Sequence, residues 1–187
     1  MLQKKLRTER LDLVPLSESH LEYQFELDSD PEVMRFLHGP RSKENCEGEL
    51  ANFISAATRG LGYWAGFVQG EFAGYWILCV PEILASRGGK APLDIGELGY
   101  RLLPRFWRRG LASEGSHELL RYGFENLGLN KIVAFTAAKN TASRATMESV
   151  GMDFVRDFKV EWEDWPEGAD RDGVEYSISA KDWSINQ

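Results

Sequence analysis

The chain has 187 residues and carries 22 Lys and Arg against 29 Asp and Glu, so its formal net charge is −7. Hydrophobic residues make up 43% of the sequence and aromatic residues 12%, which is enough for a packed core and is not typical of a disordered chain. The acidic balance argues against a general nucleic-acid binder, and no apolar run approaches the ~18 residues of a membrane helix. We therefore predict one domain over residues 1–187, with neither nucleic acid nor membrane as a partner.

The few cysteines and histidines indicate a reducing compartment and no metal site. Only Cys46 and Cys79 are present, and residues 1–7 lack the apolar stretch of a secretory signal. This combination predicts a cytoplasmic location, with both thiols packed as small apolar groups. The three histidines and the cysteines are not at metal-ligand spacing, so no metal is expected.

The first half of the chain predicts a strand, helices and a hairpin, from apolar periodicity and from capping and turn residues. In chain order, we predict a strand at 8–16, helices at 18–27, from Asp30-Pro31 and at 43–59, and hairpin strands at 63–68 and 72–80. A loop rich in Gly and Pro follows at 81–92.

The second half alternates strands and helices. In chain order, we predict a strand at 94–103, a basic loop at 104–110, a helix at 111–127, a strand at 131–138, a helix at 140–150, and strands at 154–162 and 174–179 around an acidic loop at 163–173. This order of elements predicts an α/β fold, with a mixed sheet and helices on both faces.

The stretch at 100–114, YRLLPRFWRRGLASE, is the most informative about chemistry. A strand ends in a short turn and a helix begins, which leaves consecutive backbone N–H groups unpaired beside the positive end of the helix dipole. Such a place binds phosphate or pyrophosphate. Gly110 permits close approach of a ligand to the backbone, and Arg105, Arg108 and Arg109 can add charge-assisted hydrogen bonds.

Two familiar phosphate loops are excluded by their patterns. The sequence has no G-x-x-x-x-G-K-[ST], and no G-x-G-x-x-G opens a strand-turn-helix unit, so neither a P-loop nor a dinucleotide domain is predicted. The alternative for the three arginines is a solvated basic turn, because charge runs are usually exposed.

The loop resembles that of the GNAT superfamily of acetyl-CoA-dependent N-acetyltransferases, whose pattern is [QR]-x-x-G-x-[GA]. Residues 107–112, WRRGLA, match it at Gly110 and Ala112 and have Trp in the first position. Trp followed by x-x-G-[YL]-A-x-E is similar to the branch that acetylates the N-termini of ribosomal proteins. Three further stretches resemble that branch in order along the chain: TERLDL at 8–13, ELGY at 97–100, and NTASR at 140–144 with VGM at 150–152.

The resemblance implies a GNAT-like fold, in which a mixed, mostly antiparallel central sheet has helices on both faces and a splayed gap for coenzyme A. It implies that the pantetheine arm of acetyl-CoA lies in that gap and forms hydrogen bonds with the strand backbone around Leu102 and Leu103. The pyrophosphate would lie on the amides of Arg108, Arg109, Gly110, Leu111, Ala112 and Ser113. Asn140 would bond the pantetheine side, and Ser143 and Arg144 would face the cofactor.

Direct acetyl transfer needs an amine that is neutral when it attacks. A lysine amine with pKa ≈ 10.4 is roughly 0.04% neutral at pH 7, whereas an α-amine near 7.7–8.0 is about 10–15% neutral. A general base, or a water chain leading to one, therefore helps. We predict Glu97 as this base, because it lies on the strand beside the loop and the family often has a glutamate there. A carboxylate paired with a nearby Arg or Lys is an equally weighted alternative.

The leaving thiolate needs a proton or a hydrogen-bond donor. Many members of the family use a Tyr four residues before the final Gly of the last motif, and this chain has Met147 there, which cannot donate. Ser143 is a candidate substitute, although a helix-capping or cofactor-binding role suits it equally. A thiolate with a pKa near 8.5 can also leave without an acid.

The predicted function is acetyl transfer from acetyl-CoA to a primary amine by direct attack in a ternary complex. The resemblance favours the N-terminal α-amine of a protein or peptide as the acceptor. The alternatives are a small-molecule amine and a non-catalytic module that binds acyl-CoA, which the Met147 departure keeps open. A homodimer is compatible with the sequence but is not indicated by it.

Overall fold

The computed structural model describes residues 2–37, 39–81, 92–160 and 171–185. Its strands form one eight-stranded sheet in the order β1-β2-β3-β4-β5-β6-β8-β7. The strands are β1 (Leu6–Arg7), β2 (Asp12–Pro15), β3 (Gly62–Val68), β4 (Glu71–Cys79), β5 (Ile95–Leu102), β6 (Lys131–Ala137), β7 (Asp153–Lys159) and β8 (Asp172–Ser179). All neighbours pair antiparallel except β5 and β6, which are parallel. The predicted mixed, mostly antiparallel sheet is confirmed.

Helices cover both faces of this sheet, as predicted. They are α1 (Leu21–Asp28), α2 (Pro31–Met34), α3 (Lys43–Ser55), α4 (Leu111–Arg121), α5 (Thr141–Ser149) and α6 (Ala180–Ile185). Successive side chains of a strand point to opposite faces. On β4, the Tyr75 hydroxyl donates to the carbonyl of His20 beside α1, and the Trp76 indole donates to the carbonyl of Ala112 in α4 (both 3.3 Å). The two helices therefore cover opposite faces.

The parallel strands part in the middle of the sheet. Their pairing ends at Glu97 and Val133, although β5 continues to Leu102 and β6 to Ala137. The separation leaves backbone groups of both strands without a ladder partner on that side, and it opens a gap through the sheet. This gap is the main feature that positions the candidate site.

A tryptophan determines where α4 lies. Trp76 is completely buried, and a Cβ at Gly115 of α4 would come within 2.3 Å of its indole nitrogen. The helix can therefore approach the sheet this closely only with glycine at that position. This packing brings the N-terminal end of α4 to the end of β5, beside the gap.

Several element boundaries differ from the sequence predictions. The strand predicted at 8–16 is shorter, because residues 8–11 form a turn between β1 and β2 that is closed by the Thr8 N–H donating to the Leu11 carbonyl (2.9 Å). The helix predicted at 111–127 ends as an α-helix at Arg121 and continues as a π-helical turn over Tyr122–Asn126. The helix predicted at 43–59 ends at Ser55, and α6 was not predicted.

The predicted loops at 81–92 and 163–173 lie largely outside the described residues. Within the described ranges, no helix is both long enough and apolar enough to cross a bilayer. The same part of the chain has no group of three or more His, Cys, Asp or Glu placed to hold a metal ion.

Candidate active site

A cleft of about 1050 Å³ runs through the gap between β5 and β6. One wall is formed by residues 32–37 together with side chains of α3, and we call residues 31–55 the α2–α3 wall. The opposite side is formed by the start of α4 and by α5, with β5 and β6 between them. We call residues 107–113, which connect β5 to α4, the glycine loop.

The glycine loop presents backbone N–H groups at the cleft. Arg108 and Gly110 have left-handed backbone conformations, with φ of 56° and 74°, so the chain turns sharply twice within three residues. The first bond of α4 runs from the Glu114 N–H to the Gly110 carbonyl (3.0 Å). The amides of Leu111, Ala112 and Ser113 therefore have no partner within the helix, and the helix dipole adds positive potential there. This geometry suits an anion.

Two residues far from this loop in sequence, Thr8 and Arg10, hold it from behind together with Glu114, which directly follows it. Thr8 and the backbone N–H of Arg10 (2.9 Å) both donate to one carboxylate oxygen of Glu114, and the Arg10 Nε donates to the other (2.6 Å). Arg10 Nη1 also donates to the carbonyl of Arg109 (2.8 Å). We call Thr8, Arg10 and Glu114 the Arg10 clamp. Sequence analysis quoted Thr8, Arg10 and Glu114 within family motifs but assigned them no role.

The clamp also sets the protonation of its carboxylate. Burial is the largest influence and raises the pKa of Glu114, but the hydrogen bonds from Thr8 and Arg10 and the charge of Arg10 together outweigh it. The pKa of Glu114 is therefore lowered from its usual value, and the clamp is ionised at neutral pH.

The three arginines predicted for phosphate have different surroundings. Arg108 lines the cleft. Arg109 is not among the residues lining the cleft; its guanidinium lies 5.3 Å from the ring centre of Phe106, and the glycine loop offers it no carboxylate partner. Arg105 instead donates to Glu26 (2.9 Å) and to Glu71 (2.7 Å), and it is not among the residues lining the cleft. Its charge is already matched by two carboxylates, so we remove Arg105 from the phosphate-binding set.

The direction of the β5 backbone groups follows from bonds at its two ends. The Leu103 N–H, just after the strand, donates to the Ala73 carbonyl on the β4 side (2.9 Å). The Asp94 carbonyl, just before it, accepts from the Asn130 N–H on the β6 side (2.8 Å). Backbone groups alternate in direction along a strand. Even-numbered residues of β5 therefore point their N–H and C=O toward β6 and, beyond the pairing, into the gap.

Leu98, Tyr100 and Leu102 are the even-numbered residues of β5 beyond its pairing with β6. The Leu102 carbonyl accepts from the Trp107 indole nitrogen (2.6 Å), which ties the first residue of the glycine loop to the strand. Because Leu103 N–H is engaged with β4, the backbone of Tyr100 and the N–H of Leu102 are the groups that can serve a ligand in the gap.

The N-terminal end of α5 closes the other side of the gap. The Asn140 side chain caps this helix by accepting from the Ser143 N–H (3.2 Å), so Asn140, rather than Ser143, is the capping residue. The Tyr100 hydroxyl donates to the Ser143 carbonyl (2.9 Å) and lies 3.1 Å from the Ser143 Oγ. Burial raises the pKa of Tyr100 to about 12, against hydrogen bonds with Ser143 and Thr146. The two hydroxyls form one pair beside the cleft.

Two other α5 residues have clear placements. The side chain of Arg144, predicted to face the cofactor, instead donates to the Tyr176 hydroxyl (3.2 Å) and to the Ala138 carbonyl (3.3 Å). It is not among the residues lining the cleft, so we remove it from the cofactor-binding set. Met147 is buried and lines the cleft, where its thioether cannot donate a proton.

Glu97 lies where β5 and β6 part. It is opposite Cys79 on β4, and its side chain shares a sheet face with Arg101, two pleats further along β5. Arg101 contacts Asp28 of α1, so this face is that of the α2–α3 wall and not that of α4. One carboxylate oxygen of Glu97 is buried. Leu98 and Gly99 line the cleft, whereas Glu97, which is half-buried, is not among the lining residues.

The α2–α3 wall presents paired charges and aromatic rings. Arg41 and Glu49 form an ion pair (2.9 Å). Phe53 and Tyr63 stack with ring centres 4.2 Å apart. All four side chains line the cleft.

A buried network supports this wall. Asp28 is completely buried and pairs with Arg101 (2.8 Å), and it accepts from the Gln24 amide (3.0 Å). Its backbone carbonyl accepts from the Arg41 N–H (2.8 Å). Burial raises the pKa of Asp28, and the charge of Arg101 opposes this only in part. Arg101 thus connects β5 to the helices that shape the wall.

Residues 10–153 match the family model described as an acetyltransferase (GNAT) domain. Over 185 residues the chain is 38% identical to the FsC-acetyl coenzyme A-N(2)-transacetylase of Aspergillus fumigatus, covering 97% of this chain and 78% of that protein. The fold is similar to a GNAT-family acetyltransferase from Bacillus anthracis (TM-score 0.78, 22% identical, 95% and 99% covered). It is also similar to RimL, a ribosomal L7/L12 alpha-N-protein acetyltransferase in complex with coenzyme A (TM-score 0.76, 20% identical, 92% and 95% covered).

Proposed function

We propose that this chain, which belongs to the GNAT family and is an acetyl-CoA-dependent N-acetyltransferase, transfers acetyl directly to a primary α-amine. The observation that carries the proposal is the meeting of two features at one cleft. The gap after Glu97 and Val133 offers unpaired strand backbone, and the glycine loop at its end offers unpaired helix amides. An extended ligand with an anionic group at one end fits both.

The donor side is formed by the glycine loop and β5. The amides of Leu111, Ala112 and Ser113 would hold the pyrophosphate, with Arg108 or Arg109 adding charge. Tyr100 and Leu102 would bond the pantetheine arm through their backbone, much as an added strand bonds a sheet edge. When bound, acetyl-CoA supplies an acetyl group activated as a thioester.

Direct transfer forms a C–N bond, breaks the C–S bond and removes one proton from the amine. Glu97 is the base in this proposal, acting through water because it is not among the residues that line the cleft. A backbone N–H of β5 in the gap would polarise the carbonyl oxygen. Ser143, whose hydroxyl lies 3.1 Å from that of Tyr100, would donate its hydrogen to the leaving sulfur in place of the contact with Tyr100.

The acceptor we propose is an amine of pKa near 8, since such an amine needs less help from a base than a lysine does. The N-terminus of a peptide or protein is the first candidate, in line with the ribosomal-protein resemblance. An N(2) amine of a small molecule is the second candidate, supported by the printed name of the 38%-identical relative.

A matched set of acceptors tests the proposal. One peptide has a free α-amine and a blocked lysine, its twin has a blocked α-amine and a free lysine, and an amino-acid amide with a blocked side chain represents the small molecules. Release of free coenzyme A thiol is measured with acetyl-CoA as donor. We expect turnover with the free α-amine and little with the lysine twin. Preference for the lysine would contradict the α-amine proposal, and the ratio of peptide to small molecule ranks the two candidates.

We also infer a cytoplasmic location from the low cysteine content of the sequence, and one domain from the continuous sheet. Fractionation of cells tests the first inference, and limited proteolysis tests the second. A homodimer remains a prediction that sedimentation of the purified chain checks.

A further inference from the structure

The structure assigns the Arg10 clamp as a positioning device for the glycine loop, and we propose that Arg10 aims the amide of Gly110 at the donor's pyrophosphate. This inference rests on the proposed function, because it concerns how the same loop holds the same donor. It adds Thr8, Arg10 and Glu114, none of which lines the cleft itself, to the residues that determine donor affinity.

The Arg10 side chain reaches from the glycine loop to the first turn of α4. Its Nη1 bonds the carbonyl of Arg109, and its Nε bonds the carboxylate of Glu114, one turn into α4. A Cβ built on Gly110 would lie 3.5 Å from Arg10 Nη2. The guanidinium therefore lies against the loop on both sides of Gly110.

The geometry of the peptide unit between Arg109 and Gly110 determines where the Gly110 N–H points. A peptide unit is planar, so its carbonyl and its N–H point in opposite directions. Holding the carbonyl of Arg109 from behind therefore fixes the N–H of Gly110 to point away from Arg10. Gly110 and Arg108 both lie in the left-handed region, and such a turn has alternative orientations of its peptide planes. The bond from Arg10 selects one of them.

Glu114 anchors the Arg10 side chain. That side chain is 46% exposed, and a long exposed side chain is normally mobile. Here the Glu114 carboxylate receives the backbone N–H and the Nε of the same arginine together with the Thr8 hydroxyl. This multiple attachment makes the guanidinium a fixed support, which a single surface ion pair is not.

The test compares two acetyl donors. Acetyl-CoA reaches the glycine loop, whereas S-acetyl-pantetheine lacks the pyrophosphate and does not. The variants are Arg10→Ala, Arg10→Lys and Glu114→Gln. The matched control is Arg7→Ala, which removes an exposed ion pair with Asp12 (2.7 Å) from the same hairpin.

For Arg10→Ala we expect the Kd of coenzyme A and the KM of acetyl-CoA to rise about 10- to 100-fold with kcat nearly unchanged. The kcat/KM with S-acetyl-pantetheine should stay within about threefold of wild type. For Arg10→Lys, the Kd of coenzyme A and the KM of acetyl-CoA should lie between those of wild type and Arg10→Ala, since an ammonium cannot reproduce the forked contact. Arg7→Ala should match wild type with both donors.

Hydrogen exchange of the unliganded protein gives a second readout that needs no turnover. We expect faster exchange in Arg10→Ala at the amides of residues 108–113 and unchanged exchange in β4. An unchanged Kd for coenzyme A would overturn the proposal. So would faster exchange throughout the sheet, or equal losses with the two donors, because either would indicate general destabilisation. Failure of the proposed function itself looks different: wild type would then release no coenzyme A with any amine.

Discussion

The glycine loop and the α2–α3 wall face each other across one cleft but are built in different ways. The loop presents backbone N–H groups, and its shape follows from two left-handed residues and a helix start within seven residues of sequence. The wall presents side chains, and their positions depend on a buried network in which Asp28 contacts Arg101, 73 residues away along the chain. Backbone recognition is therefore local in sequence, and side-chain recognition is not.

This difference predicts how the two regions respond to change. A substitution in the loop should weaken every donor that carries the pyrophosphate, whichever amine is used. A substitution that removes the Arg41–Glu49 ion pair or the Phe53 ring from the wall should change which amine is accepted and leave the affinity for coenzyme A intact. The predictions below test that separation.

Gly110→Trp should have the largest effect. An indole in the loop would occupy the approach to the helix amides, and φ of 74° disfavours any side chain. We expect the affinity for coenzyme A to fall by about 100-fold or more, equal to ~2.7 kcal/mol, whichever amine is present. Titration calorimetry with coenzyme A measures this loss.

Gly128→Trp is the matched control for that variant. Gly128 also has a left-handed backbone, with φ of 69°, and a Cβ there would meet no atom within 4 Å. It should suffer similar backbone strain while binding coenzyme A normally. If Gly110→Trp binds coenzyme A as wild type does, the loop is not the pyrophosphate site.

Glu97→Gln should have the largest effect on the acceptor side. The change preserves shape and removes the carboxylate, so kcat/KM should fall by about 10²–10⁴. The loss should shrink as pH rises, because more amine is then already neutral, and coenzyme A affinity should hardly change. A pH–rate profile with one α-amine acceptor measures both effects.

Glu32→Gln serves as the control for Glu97, because Glu32 is an exposed carboxylate that lines the same cleft on the wall. Its profile should parallel wild type. Parallel profiles for Glu97→Gln as well, together with a lower melting temperature, would instead make Glu97 a structural group.

The sequence predicts the loop well because its determinants are neighbours. A strand end, one glycine and a helix start lie within 100–114, and the structure places Gly110, Leu111, Ala112 and Ser113 at the cleft. The splayed gap is expected from the family resemblance alone, and the structure adds that the parallel pairing of β5 and β6 ends at Glu97, since no residue in either strand marks where the pairing stops.

The remaining features depend on contacts between distant residues. Thr8 lies 106 positions from Glu114, so no local pattern in either stretch predicts the clamp. The partners of Arg105 and Arg144 could not be predicted for the same reason: these carboxylate, hydroxyl and carbonyl groups come from other elements, and charge alone does not tell which way an arginine points.

The double variant Arg108→Ala with Arg109→Ala should sharpen the description of the loop. If either arginine meets the 3′-phosphate, coenzyme A should lose more affinity than dephospho-coenzyme A, by about 10- to 100-fold, since a charge-assisted bond contributes roughly 1.5–3 kcal/mol. Arg105→Ala should change neither, because its partners are Glu26 and Glu71. Equal losses of affinity for coenzyme A and dephospho-coenzyme A would indicate that Arg108 and Arg109 contact the pyrophosphate instead.

Asp28→Asn should have the smallest effect. It should change the free energy of unfolding and leave donor binding unchanged. The pKa of Asp28 is raised in the folded protein because burial penalises the charged form. The folded state therefore holds this proton more tightly than the unfolded state does, and the stabilisation from protonation is fully present below the unfolded value near 3.8. It is lost as pH rises through the folded pKa, by about 1.4 kcal/mol for each unit between the two values.

Urea unfolding of wild type and Asp28→Asn between pH 4 and 8 measures this pH-dependent part of the free energy of unfolding, because asparagine resembles the protonated acid and does not titrate. The polar and charged groups facing Asp28 are common to both proteins: Gln24, Arg41, Cys46, Glu49 and Arg101. Wild type should therefore lose stability relative to the variant as pH rises, while the Kd of coenzyme A stays equal in the two. The opposite slope would mean that the attraction of Arg101 outweighs burial, and that the wall is held by an ion pair at neutral pH. A changed Kd would mean that the wall and the glycine loop are coupled through β5, where Arg101 adjoins the Tyr100 backbone.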